Sequence, residues 1–154
     1  MIFVTVGTHH QPFERLLDEL GALDGELVVQ YGPGKPPAGV VRAEAYMPFE
    51  TMVQYFREAD VVITHAGVGS ILCARREGHT PLVVPRQHAL GEHVDEHQAE
   101  LTRALEALGS VVAVWDVADL ARLVATAPPR QGLTASGEPP LCGSVRGALN
   151  GDAA

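Results

Sequence analysis

Short runs dominated by valine, isoleucine and leucine, at 2–6, 27–31, 61–64, 82–84 and 111–114, are separated by segments in which apolar residues return with helical period. Alternate side chains of a strand point to opposite faces, so a run that is apolar at successive positions fits a strand covered on both sides. Such strands belong in a parallel sheet, joined by helices that cross over each face. The sequence therefore predicts an α/β fold, a parallel sheet with helices on both faces.

The intervening segments carry the helices. Pro12 opens one on which Phe13, Leu16, Leu17 and Leu20 recur, ending at Gly21. After the turn Gly32-Pro33-Gly34, residues 40–46 read as a further strand with weaker alternation. Pro48 starts a second helix with Phe49, Met52, Val53 and Phe56 on one face, and residues 64–70 lead into a third that runs through Arg76. A longer helix is expected over 92–108, with Val94, Leu101, Leu105 and Leu108 inward and Gly109 as its stop. A last one, over 116–125, shows Val117, Leu120, Ala121 and Val124.

With 154 residues, 46% of them hydrophobic, the chain can bury one core. Residues 1–127 form the expected domain. From 128 to 154 periodicity ends and nine of 27 residues are Pro or Gly, which predicts a disordered or loosely draped tail. A net charge of −8 and a single lysine, Lys35, exclude a nucleic-acid surface, which needs clustered cations. Cys73 and Cys142 suit neither a disulfide framework nor a zinc-thiolate set, consistent with a reducing cytoplasm. There is no signal-peptide pattern and no run of roughly 18 apolar residues, so a soluble chain is expected.

Between the strand at 61–64 and the helix after it stands Thr-His-Ala-Gly-Val-Gly-Ser. Ligands of open parallel sheets bind at the carboxyl ends of strands. Gly67 and Gly69 permit close backbone approach, the first helical N–H groups lack partners, and Ser70 adds a hydroxyl, a combination suited to a phosphate or diphosphate. A plain glycine turn capped by Ser70 accounts for the same letters. A dinucleotide fingerprint fails, since Leu72 stands where its third glycine belongs, and a Walker loop lacks its lysine. The first strand ends in a similar loop, Gly7-Thr8-His9-His10-Gln11, on what should be the same sheet edge. His9 or His10 would supply positive charge there if protonated, or they are exposed loop histidines.

The stretch Pro-Arg-Gln-His-Ala-Leu-Gly-Glu-His-Val-Asp-Glu-His-Gln at 85–98 is dense in polar side chains. Three readings stay open. His93 and His97, within a His-x-x-Glu-His pattern, match an inverted zinc-peptidase helix and would share a metal at i, i+4. The same residues suit a solvated helix start, or recognition of sugar hydroxyls.

Taken in order, Val-Thr-Val-Gly-Thr-His at 4–9 with Gln11-Pro12-Phe13, Ala59 through Ser70, Val84-Pro85-Arg86, Gly91-Glu92-His93 and Asp95-Glu96-His97-Gln98 resemble the C-terminal domain of glycosyltransferase family 28. The resemblance covers residues 2 to about 125. It extends to small stand-alone forms, the cytosolic subunits of dolichol-linked N-acetylglucosamine transfer and of bacterial exopolysaccharide synthesis that work with a membrane-bound partner. It implies a Rossmann-like half of a GT-B fold that holds a UDP-sugar, the acceptor half being a separate membrane-anchored polypeptide. By this likeness Gly7, Thr8, His9, His65, Gly67, Val68, Gly69 and Ser70 would face the diphosphate. Tyr46, Met47, Phe49 and Cys73 would border the uracil and ribose, and Arg86, Glu92, His93, Asp95, His97 and Gln98 the donor sugar. Family members commonly carry an acid where Cys73 stands, which leaves the ribose to the backbone or to Glu77.

The function implied is metal-independent, inverting transfer from a UDP-sugar to a lipid-linked or polysaccharide acceptor, with no cofactor beyond the donor. No Asp-x-Asp is present, and oriented N–H donors would meet the growing charge on the diphosphate. No residue of this chain is assigned as the catalytic base, as expected if the acceptor side lies on the partner. The expected location is the cytoplasm, at the inner face of the membrane through that partner. A non-catalytic UDP-sugar-binding or scaffold module and a metal hydrolase using His93 and His97 are the rival readings.

Overall fold

The computed structural model describes residues 1–93 and 95–132. Six strands, β1 (Ile2–Thr5), β2 (Leu27–Gln30), β3 (Arg42–Glu44), β4 (Val61–His65), β5 (Leu82–Val84) and β6 (Val112–Ala113), form one sheet in the order β3-β2-β1-β4-β5-β6. Every pairing is parallel. In β1 and β4, Ile2 pairs with Val61 and Thr5 with Thr64, so the two strands end within one residue of each other.

The double-sided burial expected of the apolar runs is visible in two cores. Ile2, Val4, Val6, Val29, Ile63 and Val84 pack on one face with Phe13, Leu16, Leu17 and Leu120. Phe3, Val28 and Val62 face the other way, toward Met47, Phe56, Ala59 and Ala74, and Val83 does the same with Ile71 and Leu105. Helices α1 (Glu14–Leu17) and α5 (Leu120–Ala125) thus cover one side, and α2 (Phe49–Glu58), α3 (Val68–Arg76) and α4 (His97–Ala107) the other.

Several boundaries differ from expectation. The first helix is one turn, followed by a 3-10 turn at Leu20–Ala22, where Glu19, Ala22 and Leu23 each donate to the carbonyl three residues back. Its apolar stripe is nevertheless buried as predicted. The strand at 40–46 shrinks to three residues on the sheet edge, and the last helix begins as a 3-10 turn at Val117–Asp119. The helix expected from 92 starts at His97, because the Glu92 carboxylate turns back to accept from the Gln87 N–H and from Arg15. Leu105 is fully buried, Leu108 is 45% exposed, and Val94 lies outside the described residues.

Past α5 the chain returns to the far end of the sheet. Gln131 N–H donates to Gly78 O at 2.8 Å, and Arg130 reaches the carbonyls of Arg57 and Glu77, at the carboxyl ends of α2 and α3. A guanidinium is favoured there by the negative end of each helix dipole. The tail expected from 128 lies outside the described residues from 133 onward. Among the described residues, no helix is long and apolar enough to cross a membrane.

Candidate functional site

The order β3-β2-β1-β4-β5-β6 reverses direction between β1 and β4, and the helices that follow these two strands leave to opposite faces. A crevice therefore opens at their carboxyl ends, the place where ligands of doubly wound sheets bind. The loops after β1 and β4 meet there on a single rim.

His65, the last residue of β4, holds the two loops together. A Cβ on Gly7 would sit 2.3 Å from its Nε2, and one on Gly67 would sit 2.2 Å from its Cε1. Both glycines are thus accounted for by the imidazole lodged against them, and Gly7 also has φ +78°. Gly69 is different, since a Cβ there would meet nothing within 4 Å. The first intrahelical bond of α3 runs from Ile71 N–H to Gly67 O, so the N–H groups of Val68, Gly69 and Ser70 precede the ladder and point out of the helix end.

Over this helix start lies a cavity of about 320 Å³. Gly7, Thr8, His65, Gly67, Gly69 and Ser70 form its polar end, and Phe49, Met52, Phe56 and Cys73 an apolar one. Phe49, Phe56 and Cys73 are shared with a second hollow of about 510 Å³ between α2 and α3, which adds Val53, Arg57, Arg76 and Glu77. Phe49 is 68% exposed at the mouth of both. Tyr46 is exposed nearby in sequence, whereas Met47 is packed into the core beside Phe3 and Phe56 rather than turned outward. Burial raises the Cys73 thiol above its usual pKa, so it stays protonated at neutral pH.

Electrostatics come from behind the crevice. Arg86 is fully buried and donates to the carbonyls of Val6, Gln11 and Glu92 at 2.9, 2.7 and 3.1 Å, with its guanidinium 4.7 Å from the Phe13 ring centre. Burial lowers its pKa to about 10, which leaves it charged at neutral pH. Burial first, then the charge of Arg86 and the nearby His93 and His9, drive His65 down to about 3. Its imidazole is neutral in the folded protein.

The donor-sugar set expected at 86–98 divides. Arg86 and Glu92 are turned inward, away from the cavity wall, because each finds partners across the fold: Arg86 the carbonyls above, Glu92 the Arg15 guanidinium at 2.9 and 3.0 Å. Gln98 is also buried, against Ala66, Arg86 and His65. His93 stays near the rim, stacked on His9 with ring centres 4.5 Å apart, and His9 in turn lies 4.4 Å from His10. Asp95 and His97 are exposed. Asp95 accepts from the His97 N–H at 2.9 Å and approaches His93 at 3.2 Å, and the first of these contacts does most to hold its carboxyl below the usual range.

The metal pairing of His93 with His97 is not what the structure contains. Only His97 is helical, so the two do not share a helix face. Among the described residues, no group of three or more His, Cys, Asp or Glu is placed to hold a metal ion.

One residue of the crevice was missed in the sequence. Gln30, buried at the end of β2, accepts from the Thr5 hydroxyl and donates to Gly7 O and Ala45 O at 3.0 and 2.7 Å, tying the β1 and β3 loops together. A glutamine closing an apolar strand was its only signal.

A six-stranded parallel sheet of this order, with its crevice between β1 and β4, defines a Rossmann-like α/β domain of the kind that makes the C-terminal half of a GT-B glycosyltransferase. The model of the glycosyltransferase family 28 C-terminal domain matches residues 1–128, and the chain belongs to that family. Among curated proteins it is similar to the UDP-N-acetylglucosamine transferase subunit ALG13 of Eremothecium gossypii, with 44% identity over 68 residues. That match covers 44% of this chain and 32% of the relative, about a third of the relative's length.

Proposed function

We propose that this chain is the donor-binding, catalytic subunit of a two-component inverting glycosyltransferase. It takes a sugar from UDP and passes it to a lipid-linked or polysaccharide acceptor held by a membrane-anchored partner, at the cytoplasmic face. The observation that carries this reading is the meeting of two strand-to-helix corners around His65, under the open first turn of α3.

The diphosphate lies against the N–H groups of Val68, Gly69 and Ser70, with Gly7, Thr8, His9 and Gly67 alongside. These donors are oriented before reaction, so they meet the charge that grows on the leaving UDP without rearranging. The dipole of α3 favours an anion by roughly 0.3–1 kcal/mol, up to about 2 if partly buried, and the buried Arg86 adds a fixed positive charge behind it. The chain carries no Asp-x-Asp, and the donors named supply the stabilisation without a divalent ion. Uracil and ribose fall to Tyr46, Phe49 and Cys73. The sugar falls to the open side of the 86–98 loop, to His93, Asp95 and His97. The base that takes the acceptor proton comes from the partner.

The name of the E. gossypii relative makes UDP-N-acetylglucosamine the first donor to test. The experiment is co-expression with a candidate membrane subunit, followed by assay of a UDP-sugar panel against lipid acceptors in membranes. Transfer that needs both chains supports the proposal, and UDP binding without transfer by any pairing supports a binding or scaffold module instead. Cys73, in place of the family's common acid, is the feature that favours this second reading.

A further inference from the structure

Gln98 sits in the first turn of α4, 7% exposed, and does not line the cavity. Its Oε1 faces two backbone donors, the N–H of Ala66 at 3.3 Å and the N–H of Arg86 at 3.0 Å. A backbone N–H only donates, so the atom between them must be the amide oxygen, and the NH2 group must point the other way. There it lies 3.4 Å from Nδ1 of His65. An amide NH2 also only donates, so Nδ1 must be the bare, accepting nitrogen of the ring.

We infer that Gln98 is a positioning residue that fixes His65 as the Nε2–H tautomer, so that the crevice is offered a hydrogen-bond donor and not a lone pair. Nε2 is the ring nitrogen lodged against Gly7, and it makes no hydrogen bond to protein among the described residues. Burial and Arg86 keep the ring neutral, so it carries one proton, and the amide decides which nitrogen holds it. The same amide fixes the Ala66 corner and the end of β5, so the ring's placement and its tautomer have a single cause. The purpose given to the donor, an anionic oxygen in the crevice, rests on the diphosphate reading above; the tautomer does not.

The test is a long-range proton–nitrogen correlation spectrum of the ligand-free, nitrogen-15-labelled full chain, with the His65 signals identified by their loss in His65→Asn. The wild-type spectrum should show Nε2 protonated and Nδ1 bare. Gln98→Glu keeps the size and the acceptor for the two backbone N–H groups but turns a second acceptor toward Nδ1. It should move the proton to Nδ1 or charge the ring, and weaken UDP binding at least tenfold by calorimetry. A wild-type His65 protonated on Nδ1, or a mixture of tautomers, overturns the proposal, as does a folded Gln98→Glu that keeps the wild-type tautomer. The wild-type spectrum decides the matter even if that variant does not fold. Calorimetry of UDP with wild-type protein separately tests the nucleotide reading, which fails if no binding is seen.

Discussion

Gly7 and Gly69 both line the crevice, yet adding a methyl to each should do opposite things. At Gly69 a Cβ meets nothing within 4 Å, and the residue is helical, so Gly69→Ala should leave the fold intact. Lower unfolded-state entropy contributes about 0.4–1 kcal/mol in its favour. At about 2–4 °C per kcal/mol for a chain of this size, Tm should rise by roughly 1–4 °C. The methyl projects over the N–H groups proposed to hold the diphosphate, and UDP affinity should fall at least tenfold, or about 1.4 kcal/mol. Gly69→Val, larger, should abolish binding. At Gly7 the cost falls on the fold. A side chain at φ +78° costs about 1–2 kcal/mol, and a Cβ 2.3 Å from Nε2 forces the His65 ring off the Gln98 amide, about 0.5–1.5 kcal/mol more. Gly7→Ala should therefore lose roughly 3–14 °C in Tm. Thermal melts with UDP calorimetry on the three variants read both effects. Unchanged UDP affinity in a folded Gly69→Val would refute the reasoning, because that side chain stands on the cavity wall at the helix start proposed to hold the diphosphate.

Acid should weaken the fold through His65. Its pKa is about 3 in the folded protein against an ordinary 6.5, so the unfolded chain takes the proton first; its contribution is complete above about pH 6.5 and drains as pH falls toward 3, by at most about 1.4 kcal/mol per unit. His79, also lowered by burial, acts in the same direction, so the difference between urea melts of wild type and His65→Asn at pH 7 and 4.5 isolates the term, and parallel losses would contradict it. Arg86→Met strands the carbonyls of Val6, Gln11 and Glu92 and should cost about 3 kcal/mol or more by urea denaturation; a loss under about 1 kcal/mol would show these bonds to be dispensable. Cys73→Glu places an acceptor on the cavity wall and should strengthen binding of UDP relative to its 2′-deoxy counterpart, an effect that equal affinities would rule out.

The sheet was legible because burial on both faces leaves a local trace, successive apolar residues at 2–6, 61–64 and 82–84. Parallel pairing then placed the 7–11 and 64–70 loops on one edge without further information. What the letters did not disclose depends on partners far along the chain. The polar density at 85–98 suggested an open cleft, yet Arg86, Glu92 and Gln98 are buried, since the penalty for burying them is offset by Val6, Gln11, Arg15 and Ala66. Gly67 read as room for a ligand, and Gly7 by likeness as facing the same group, and the structure fills the space at both with the ring of His65. Of the three crevice glycines 7, 67 and 69, the last alone keeps open space above it. The late start of the predicted 92–108 helix has the same origin, the bond of Glu92 to Arg15, which no local pattern announces.

A crystal structure of the chain with UDP bound tests the central claim most directly. The account predicts phosphate oxygens within hydrogen-bond distance of the Gly69 and Ser70 N–H groups and of His65 Nε2, between the β1 and β4 loops. Phosphates bound at any other edge of the sheet would contradict it.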